Sequence, residues 1–187
     1  MKYLIVSDIH GSITALDQVL AYYDREGFDQ LILLGDILNY GPRNGVPADL
    51  NAPAIVERLN ALADRIICVR GNCDSEVDQM LLHFDMMGTY ALLLDAETGT
   101  GKVRRYFLTH GHIYPTQKLP AGHYDAIFYG HTHLQGIEKR EGTIFVNTGS
   151  PTFPKGGNPP TFVTLCDGTI RIHNLDGSVL QEVEPNT

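Results

Sequence analysis

Five short apolar runs in this chain are each followed closely by an aspartate, an asparagine or a histidine. Runs of this length, bounded by polar residues, predict buried β-strands. In an open, largely parallel α/β sheet, the carboxyl ends of the strands lie along one edge, where ligands bind. We therefore expect seven oxygen and nitrogen donors to meet at one place, namely Asp8, His10, Asp36, Asn72, His110, His131 and His133.

The first pair of donors, Asp8 and His10, follows an apolar run at residues 3–6. Residues two apart in an extended backbone point to the same side. If the strand continues through this pair, the carboxylate and the imidazole can bind the same metal ion. The spacing alone is a weak signal, and the metal site is predicted only together with the donors that follow later in the chain.

Helices and strands alternate in the first half of the chain, and the second half is mostly strands. Helices are predicted from Ser12 to Gly27, from Pro53 onward, and after Ser75, which stands at capping-box spacing from Asp78. Strands are predicted at residues 3–6, 31–34, 66–69, 90–94, 103–108, 126–129, 136–140, 143–146 and 162–166, at 169–174, and after Asp176-Gly177. This pattern predicts an α/β fold with one domain over residues 1–187.

Two connections are predicted from their glycine and proline content. Residues 39–47 form a loop, and residues 98–101, Thr-Gly-Thr-Gly, form a turn. Tyr23 and Met80 lie among apolar residues at helical spacing, and we expect both to pack inside helix interfaces.

Composition limits the classes of function. A net charge of −8 disfavours broad contact with a nucleic-acid backbone, and no apolar stretch approaches the length of a membrane span. The three cysteines, Cys68, Cys73 and Cys166, form no Cys-x-x-Cys pair, which favours a reducing compartment. We expect a cytoplasmic protein, and the sequence leaves open whether it forms a homo-oligomer. If its substrate is an anion, bound cations must supply the local positive charge.

Seven donors are more than one tetrahedral ion needs, so the set predicts two metal ions with a carboxylate between them. Two such ions can orient a phosphoryl group and lower the pKa of a shared water. Mixed oxygen and nitrogen ligands suit manganese, which we expect, as well as iron, zinc or nickel. A mononuclear or purely structural metal site is the alternative.

In chain order, Asp8-x-His10, Gly35-Asp36, Gly71-Asn72 with Asp74, His110 and Gly130-His131-x-His133 resemble the signature of the calcineurin-like metallophosphoesterases. The match covers residues 8–133. Three further segments resemble the small bacterial YfcE-type phosphodiesterases, namely Val-Arg-Gly-Asn-Cys-Asp at 69–74, Leu-Thr-His-Gly-His at 108–112 and Pro-Lys-Gly-Gly-Asn-Pro at 154–159.

The resemblance implies two mixed β-sheets packed face to face as a sandwich and flanked by helices. It implies that Asp8, His10 and His133 hold one ion, that Asn72, His110 and His131 hold the other, and that Asp36 bridges the two. It also implies hydrolysis of a small phosphate ester, most plausibly a diester, by in-line attack of a metal-bridging hydroxide at phosphorus.

One position departs from the wider superfamily, because Cys73 stands where many members have a histidine that helps to protonate the leaving oxygen. A thiol is a poorer general acid near neutral pH than an imidazolium, so substrates with acidic leaving groups are favoured. His112 is a candidate substitute for this role. Arg43 and Lys155 are candidate contacts to the substrate phosphate, although solvated loop cations are equally consistent with the sequence.

The sequence lacks the motifs of three other kinds of chemistry, and two alternatives on the same fold remain open. No cysteine is followed by arginine at the spacing of cysteine-based phosphatases, and the chain has no Walker A loop and no His-Glu-x-x-His motif. A phosphomonoesterase and a non-catalytic scaffold for protein binding on the same fold remain as alternatives. A non-catalytic scaffold would be favoured if some of the metal ligands were missing, whereas here all seven donor positions are filled.

Overall fold

The computed structural model describes residues 1–96 and 101–184. In chain order the elements are β1 (Lys2–Val6), α1 (Ile13–Glu26), β2 (Gln30–Leu33), α2 (Ala52–Asn60), β3 (Ile66–Cys68), α3 (Glu76–Leu81), β4 (Tyr90–Ala96), β5 (Val103–Thr109), β6 (Ala126–Tyr129), β7 (Gly136–Arg140), β8 (Thr143–Asn147), β9 (Thr161–Cys166), β10 (Thr169–Asn174) and β11 (Val179–Val183). The helices and strands predicted from the sequence are therefore present. Residues 98–100 of the predicted turn lie outside the described residues.

The first sheet has six strands in the order β11-β10-β9-β1-β2-β3. Strands β1, β2 and β3 are parallel, and the connections between them carry α1 and α2, as the long crossovers between parallel strands usually do. Strand β9 runs antiparallel beside β1. The last three strands of the chain thus complete a sheet that the first strand begins.

The second sheet has five strands in the order β4-β5-β6-β8-β7, with β5, β6 and β8 parallel. Alternate side chains of β1, including Tyr3 and Ile5, pack against Tyr106 and Phe128 of this sheet. The opposite face of the first sheet packs against the apolar sides of α1 and α2. The sandwich of two mixed sheets flanked by helices, which the resemblance implies, is confirmed.

Capping residues fix where α1 begins and ends. The Ser12 hydroxyl accepts a hydrogen bond from the Ala15 N–H, and Gly27 ends the helix with φ at 65°. Since only six residues separate β1 from α1, residues 7–12 form a tight connection at the strand's carboxyl end. None of the helices in the described residues is both long and apolar enough to cross a membrane.

Two expectations are wrong. The donors do not lie along the edge of one open sheet, because the chain divides its strands between two sheets after α3. Met80 is 83% exposed rather than packed, since α3 is a helix of six residues with none of them buried. Tyr23, in contrast, is buried against the first sheet, as expected.

Candidate metal centre

The donors lie in loops that leave the carboxyl ends of strands, and their backbone has an uncommon conformation. Left-handed φ values between 51° and 67° occur at Asp8, His10, Asp36, His131 and His133. In the described part of the chain only two other non-glycine residues have positive φ, and both precede a glycine in a hairpin turn. Because such a conformation is unfavourable for a residue with a Cβ, its concentration here marks a functional site.

The pair that follows β1 is therefore not extended, contrary to the expectation from its spacing. Asp8 and His10 both lie beyond the last residue of the strand, Val6, and the chain turns sharply at each. Their N–H groups donate hydrogen bonds to the carbonyls of Gly35 and Asp36, at 3.0 and 2.9 Å. The two side chains still converge, but the turns bring them together rather than strand alternation.

Glycines beside the donors allow the loops to approach closely. A Cβ on Gly71 would lie 2.2 Å from the Asp36 Oδ1 atom, and a Cβ on Gly35 would lie 2.3 Å from the Gly71 nitrogen. On the other sheet, a Cβ on Gly130 would lie 2.2 Å from the Ser7 hydroxyl oxygen. Larger residues would separate the loops that carry the donors.

The structure brings the seven donors together between the two sheets. Asp8, His10 and His133 form one compact trio, and Asp8, Asp36 and His110 form another, each with ligand atoms within 4.8 Å of one another. Asn72 and His131 join the second group, because the Asn72 Oδ1 and His131 Nδ1 atoms lie 3.2 and 3.3 Å from the His110 Nε2 atom.

The Asp36 carboxylate lies between the two groups. Its Oδ2 atom is 3.7 Å from the His10 Nε2 atom and 3.5 Å from the His110 Nε2 atom. Its Oδ1 atom accepts a hydrogen bond from the Cys73 N–H at 2.8 Å, which fixes the carboxylate in this orientation.

Three imidazoles are oriented by backbone carbonyls. The Nδ1 atoms of His10, His110 and His133 lie 2.9, 2.8 and 2.7 Å from the carbonyl oxygens of Asn39, Leu34 and Phe153. A carbonyl can only accept, so each Nδ1 carries the hydrogen, and in the neutral ring each Nε2 directs a lone pair into the site. Metal-binding histidines are commonly held in this way.

The group formed by Asp8, His10 and His133 fits a divalent cation. The Nε2 atoms of His10 and His133 face each other at 3.2 Å, where two lone pairs repel unless a cation lies nearby. The Asp8 Oδ1 atom is fully buried and accepts no hydrogen bond. A buried carboxylate oxygen without a partner is costly, and a metal ion would remove that cost.

The pKa shifts differ between the Asp8 carboxyl and the two neighbouring acid–base candidates, Cys73 and His112. Burial alone would raise the pKa of the Asp8 carboxyl, but in the metal-free protein the hydrogen bonds that protonated His10 and His133 can donate outweigh it and hold the pKa far below the usual value. Burial, followed by the charge of Asp36, raises the pKa of the Cys73 thiol to about 12. Burial, followed by His110, lowers the pKa of His112 to about 4.

An open cavity of about 390 Å³ lies over the donors. Arg43 and Lys155 both line it, as does Cys73, so the two candidate phosphate contacts are brought to the same space. His112 stands to one side, with its ring centre 5.2 Å from that of His110 and 6.1 Å from that of His131. Its Nδ1 atom is buried without a hydrogen-bond partner.

Two supporting residues were assigned no role by the sequence analysis. The buried Asp74 carboxylate accepts hydrogen bonds from the N–H groups of Asp36, Ile37 and Gly71 at 2.7–2.9 Å. The Ser150 hydroxyl donates to the Asp8 carbonyl at 2.7 Å. The position of Ser150, shortly after a strand, is the sequence feature that could have indicated a role in the site. A serine in such a position more often follows a strand without any functional contact.

Comparison with known proteins gives one consistent result. Residues 1–167 match the family described as the calcineurin-like phosphoesterase superfamily domain. The chain is 43% identical over 188 aligned residues to the phosphodiesterase YfcE of Escherichia coli K12, covering 100% of this chain and 99% of that protein. It is 29% identical over 144 residues to a probable metallophosphoesterase of Methanothermobacter thermautotrophicus, covering 73% and 74% of the two chains. The solved structure of the E. coli phosphoesterase YfcE superposes with a TM-score of 0.92 at 42% identity, with both chains fully covered.

Proposed function

The chain belongs to the calcineurin-like phosphoesterase superfamily, and from this we propose that it is a metal-dependent phosphodiesterase that hydrolyses small phosphate esters. The observation that carries the proposal is the convergence of two carboxylates, one amide oxygen and four imidazoles from both sheets. The likeness to the phosphodiesterase YfcE supports a diester as substrate.

We propose two cation positions. Asp8, His10 and His133 hold one ion, Asn72, His110 and His131 hold the other, and Asp36 belongs to both. Bound there, divalent cations supply the Lewis acidity that activates water and neutralises the charge of the phosphoryl group. Manganese is the expected ion, and iron, zinc or nickel suit the same ligands.

The remaining residues handle the substrate. Arg43 and Lys155, at the cavity over the donors, bind the phosphate anion, since a guanidinium matches two phosphate oxygens. Asn72 contributes both to metal binding and to orientation of the phosphoryl group. Cys73 and His112 are the candidates for protonating the leaving oxygen. The raised pKa of the Cys73 thiol makes it a weak acid near neutral pH, which favours substrates with acidic leaving groups.

We also propose that the protein works in the cytoplasm. Cys68, Cys73 and Cys166 are all free thiols, as expected in a reducing compartment. The substrate proposed is a small molecule rather than a nucleic acid, in line with the net charge of −8.

The proposal is tested by hydrolysis of bis(p-nitrophenyl) phosphate and of p-nitrophenyl phosphate with added manganese, with and without a chelator. We expect faster hydrolysis of the diester, loss of activity on chelation, and a fall of more than about 100-fold in Asp36→Asn. Asp167→Asn is the matched control, because Asp167 also has a positive φ but lies in a hairpin turn.

Metal analysis of the same samples should find two equivalents per chain. Activity that survives both exhaustive chelation and Asp36→Asn would contradict the proposal, and a single equivalent in the active protein would favour a mononuclear site. Faster hydrolysis of the monoester would make the protein a phosphomonoesterase. Absence of any hydrolysis in the loaded protein would favour the non-catalytic scaffold.

A further inference from the structure

We propose that the side-chain amide of Asn44 binds a non-bridging oxygen of the substrate's phosphoryl group, and that it becomes available for this when His10 ligates a cation. The inference rests on the proposed function, because it assumes that a phosphate group enters the cavity over the donors. It adds a specificity-determining residue that the sequence analysis did not single out.

Asn44 lies in the loop that covers one side of the centre. Its Nδ2 atom is 3.3 Å from the His10 Nε2 atom, and the residue lines the cavity together with Arg43 and Lys155. The same Nδ2 atom donates to the Tyr40 carbonyl at 3.2 Å. Since that carbonyl can only accept, the amide is oriented with its nitrogen, not its oxygen, toward His10.

The loop holds Asn44 in place before any ligand binds. The Asn44 N–H donates to the Gly41 carbonyl, closing a turn, and the Gly41 N–H donates to the Asn39 side-chain oxygen at 3.0 Å. Gly41 has a φ of 70°, and a Cβ there would lie 2.9 Å from the Cys73 sulfur and 3.3 Å from the Asn44 Nδ2 atom. The loop is thus packed directly against the centre, which lowers the entropic cost of presenting the amide.

One lone pair on the His10 ring can contact either the Asn44 amide or a bound cation, but not both. The His10 Nδ1 atom donates to the Asn39 carbonyl, so its Nε2 atom has a single lone pair, which the Asn44 amide contacts. When that lone pair ligates a cation, one N–H of Asn44 loses its acceptor, while the other still donates to Tyr40. The N–H that loses its acceptor then turns away from the cation toward the cavity that Asn44 lines, where a phosphate oxygen can accept from it.

The chemistry suits an anionic phosphate ester. A neutral amide adds a directed donor without adding charge, and Arg43 and Lys155 supply the positive charge nearby. A diester carries one negative charge shared by two non-bridging oxygens. A fixed donor beside the metal ions can bind the non-bridging oxygen that faces away from those ions, and so helps to orient the phosphoryl group. Inorganic phosphate, with the same kind of oxygens, is the simplest probe.

The test measures binding of inorganic phosphate to the manganese-loaded protein by calorimetry, together with KM and kcat for bis(p-nitrophenyl) phosphate and the affinity for manganese itself. Asn44→Ala should weaken phosphate binding roughly 10- to 100-fold, as expected for loss of a hydrogen bond to a charged group, without weakening manganese binding. Asn44→Asp should weaken phosphate binding further, because a carboxylate repels the anion, while manganese binding is unchanged or tighter. In both variants KM should rise more than kcat falls.

Asn60→Ala is the matched control, since the Asn60 side chain also tethers backbone groups, those of Leu81 and His83. It should leave phosphate binding unchanged even if it lowers stability. Unchanged phosphate affinity in Asn44→Ala overturns the inference, and so does a parallel loss of manganese affinity, which would mean that Asn44 acts by positioning His10. If the wild-type protein loaded with manganese neither binds phosphate nor hydrolyses the diester, the proposed function itself fails.

Discussion

The hydroxyl of Ser150 donates a 2.7 Å hydrogen bond to the backbone carbonyl of Asp8, across the join between the two sheets. The same oxygen accepts from the Phe153 N–H at 2.8 Å, and the Phe153 carbonyl accepts from the His133 Nδ1 atom. Ser150 therefore links two of the ligands of one proposed cation, Asp8 and His133, through the backbone, although it contacts neither ligating atom.

Ser150→Ala should lower the free energy of unfolding by about 1–3 kcal/mol, because the Asp8 carbonyl and the Phe153 N–H lose a buried partner. It should also weaken binding of the manganese ion held by Asp8, His10 and His133 roughly 10- to 100-fold, the effect of removing a residue that orients a ligand. Denaturant unfolding and calorimetric metal titration measure the two effects. Ser178→Ala, an exposed hydroxyl in the β10–β11 turn, is the control and should change neither. Unaltered metal affinity in Ser150→Ala would contradict the assigned role.

Asp74→Asn should destabilise the protein by about 1–3 kcal/mol, because the new amide NH₂ would face at least one of three backbone N–H donors. These donors belong to the loops of Asp36 and Asn72, so we expect metal binding to weaken as well. The measurements are thermal unfolding with and without manganese. Asp78→Asn is the control, since Asp78 accepts only from Ser75 at the start of α3 and should cost less. Equal effects of the two substitutions would count against a special role for Asp74.

Loading with manganese should raise the melting temperature strongly. Carboxylates and lone pairs crowded together repel in the metal-free protein, and a ligand that binds only the folded state stabilises it by about 4 kcal/mol at 1,000 times its dissociation constant. Scanning calorimetry of chelated and loaded protein measures the shift. The increase should be much smaller in Asp36→Asn. Equal melting temperatures of the chelated and loaded wild-type protein would argue against a metal centre.

Cys73→His should raise turnover of an alkyl phosphodiester more than that of an aryl one. An imidazolium can protonate a basic leaving oxygen near neutral pH, whereas the Cys73 thiol, with its pKa raised to about 12, is a poor acid there. Steady-state kinetics with a matched pair of diesters gives the comparison. Cys73→Ser, which supplies no better acid, should show no such preference. Equal gains on both substrates would remove this position from proton transfer.

Local pattern was sufficient to predict which segments are strands and where each donor stands relative to a strand end. Apolar runs of four or five residues and the glycines beside Asp36 and His131 are visible in the sequence itself. The division into two sheets depends on pairing between strands that are distant in the sequence, such as β1 with β9. The spacing of apolar residues within one segment does not predict such pairing.

The supporting residues were harder to predict for the same reason. Asp74 acts on backbone groups 37 and 38 positions earlier in the chain, and Asn44 reaches His10 only because a glycine at 41 adopts a left-handed turn. The prediction for Met80 is wrong because apolar spacing does not by itself give burial, and α3 is too short to lay an apolar face against the sandwich.

The place of β9 beside β1 bears on how the protein is made. During synthesis on the ribosome, Asp8 and Asp36 emerge early, while the histidines of the opposite sheet and the strand that flanks β1 are translated only much later. A product of translation that stalls before residue 131 lacks His131 and His133, and one that stalls before β9 lacks the strand that pairs antiparallel with β1. Assembly of the candidate metal centre therefore waits for the second half of the chain.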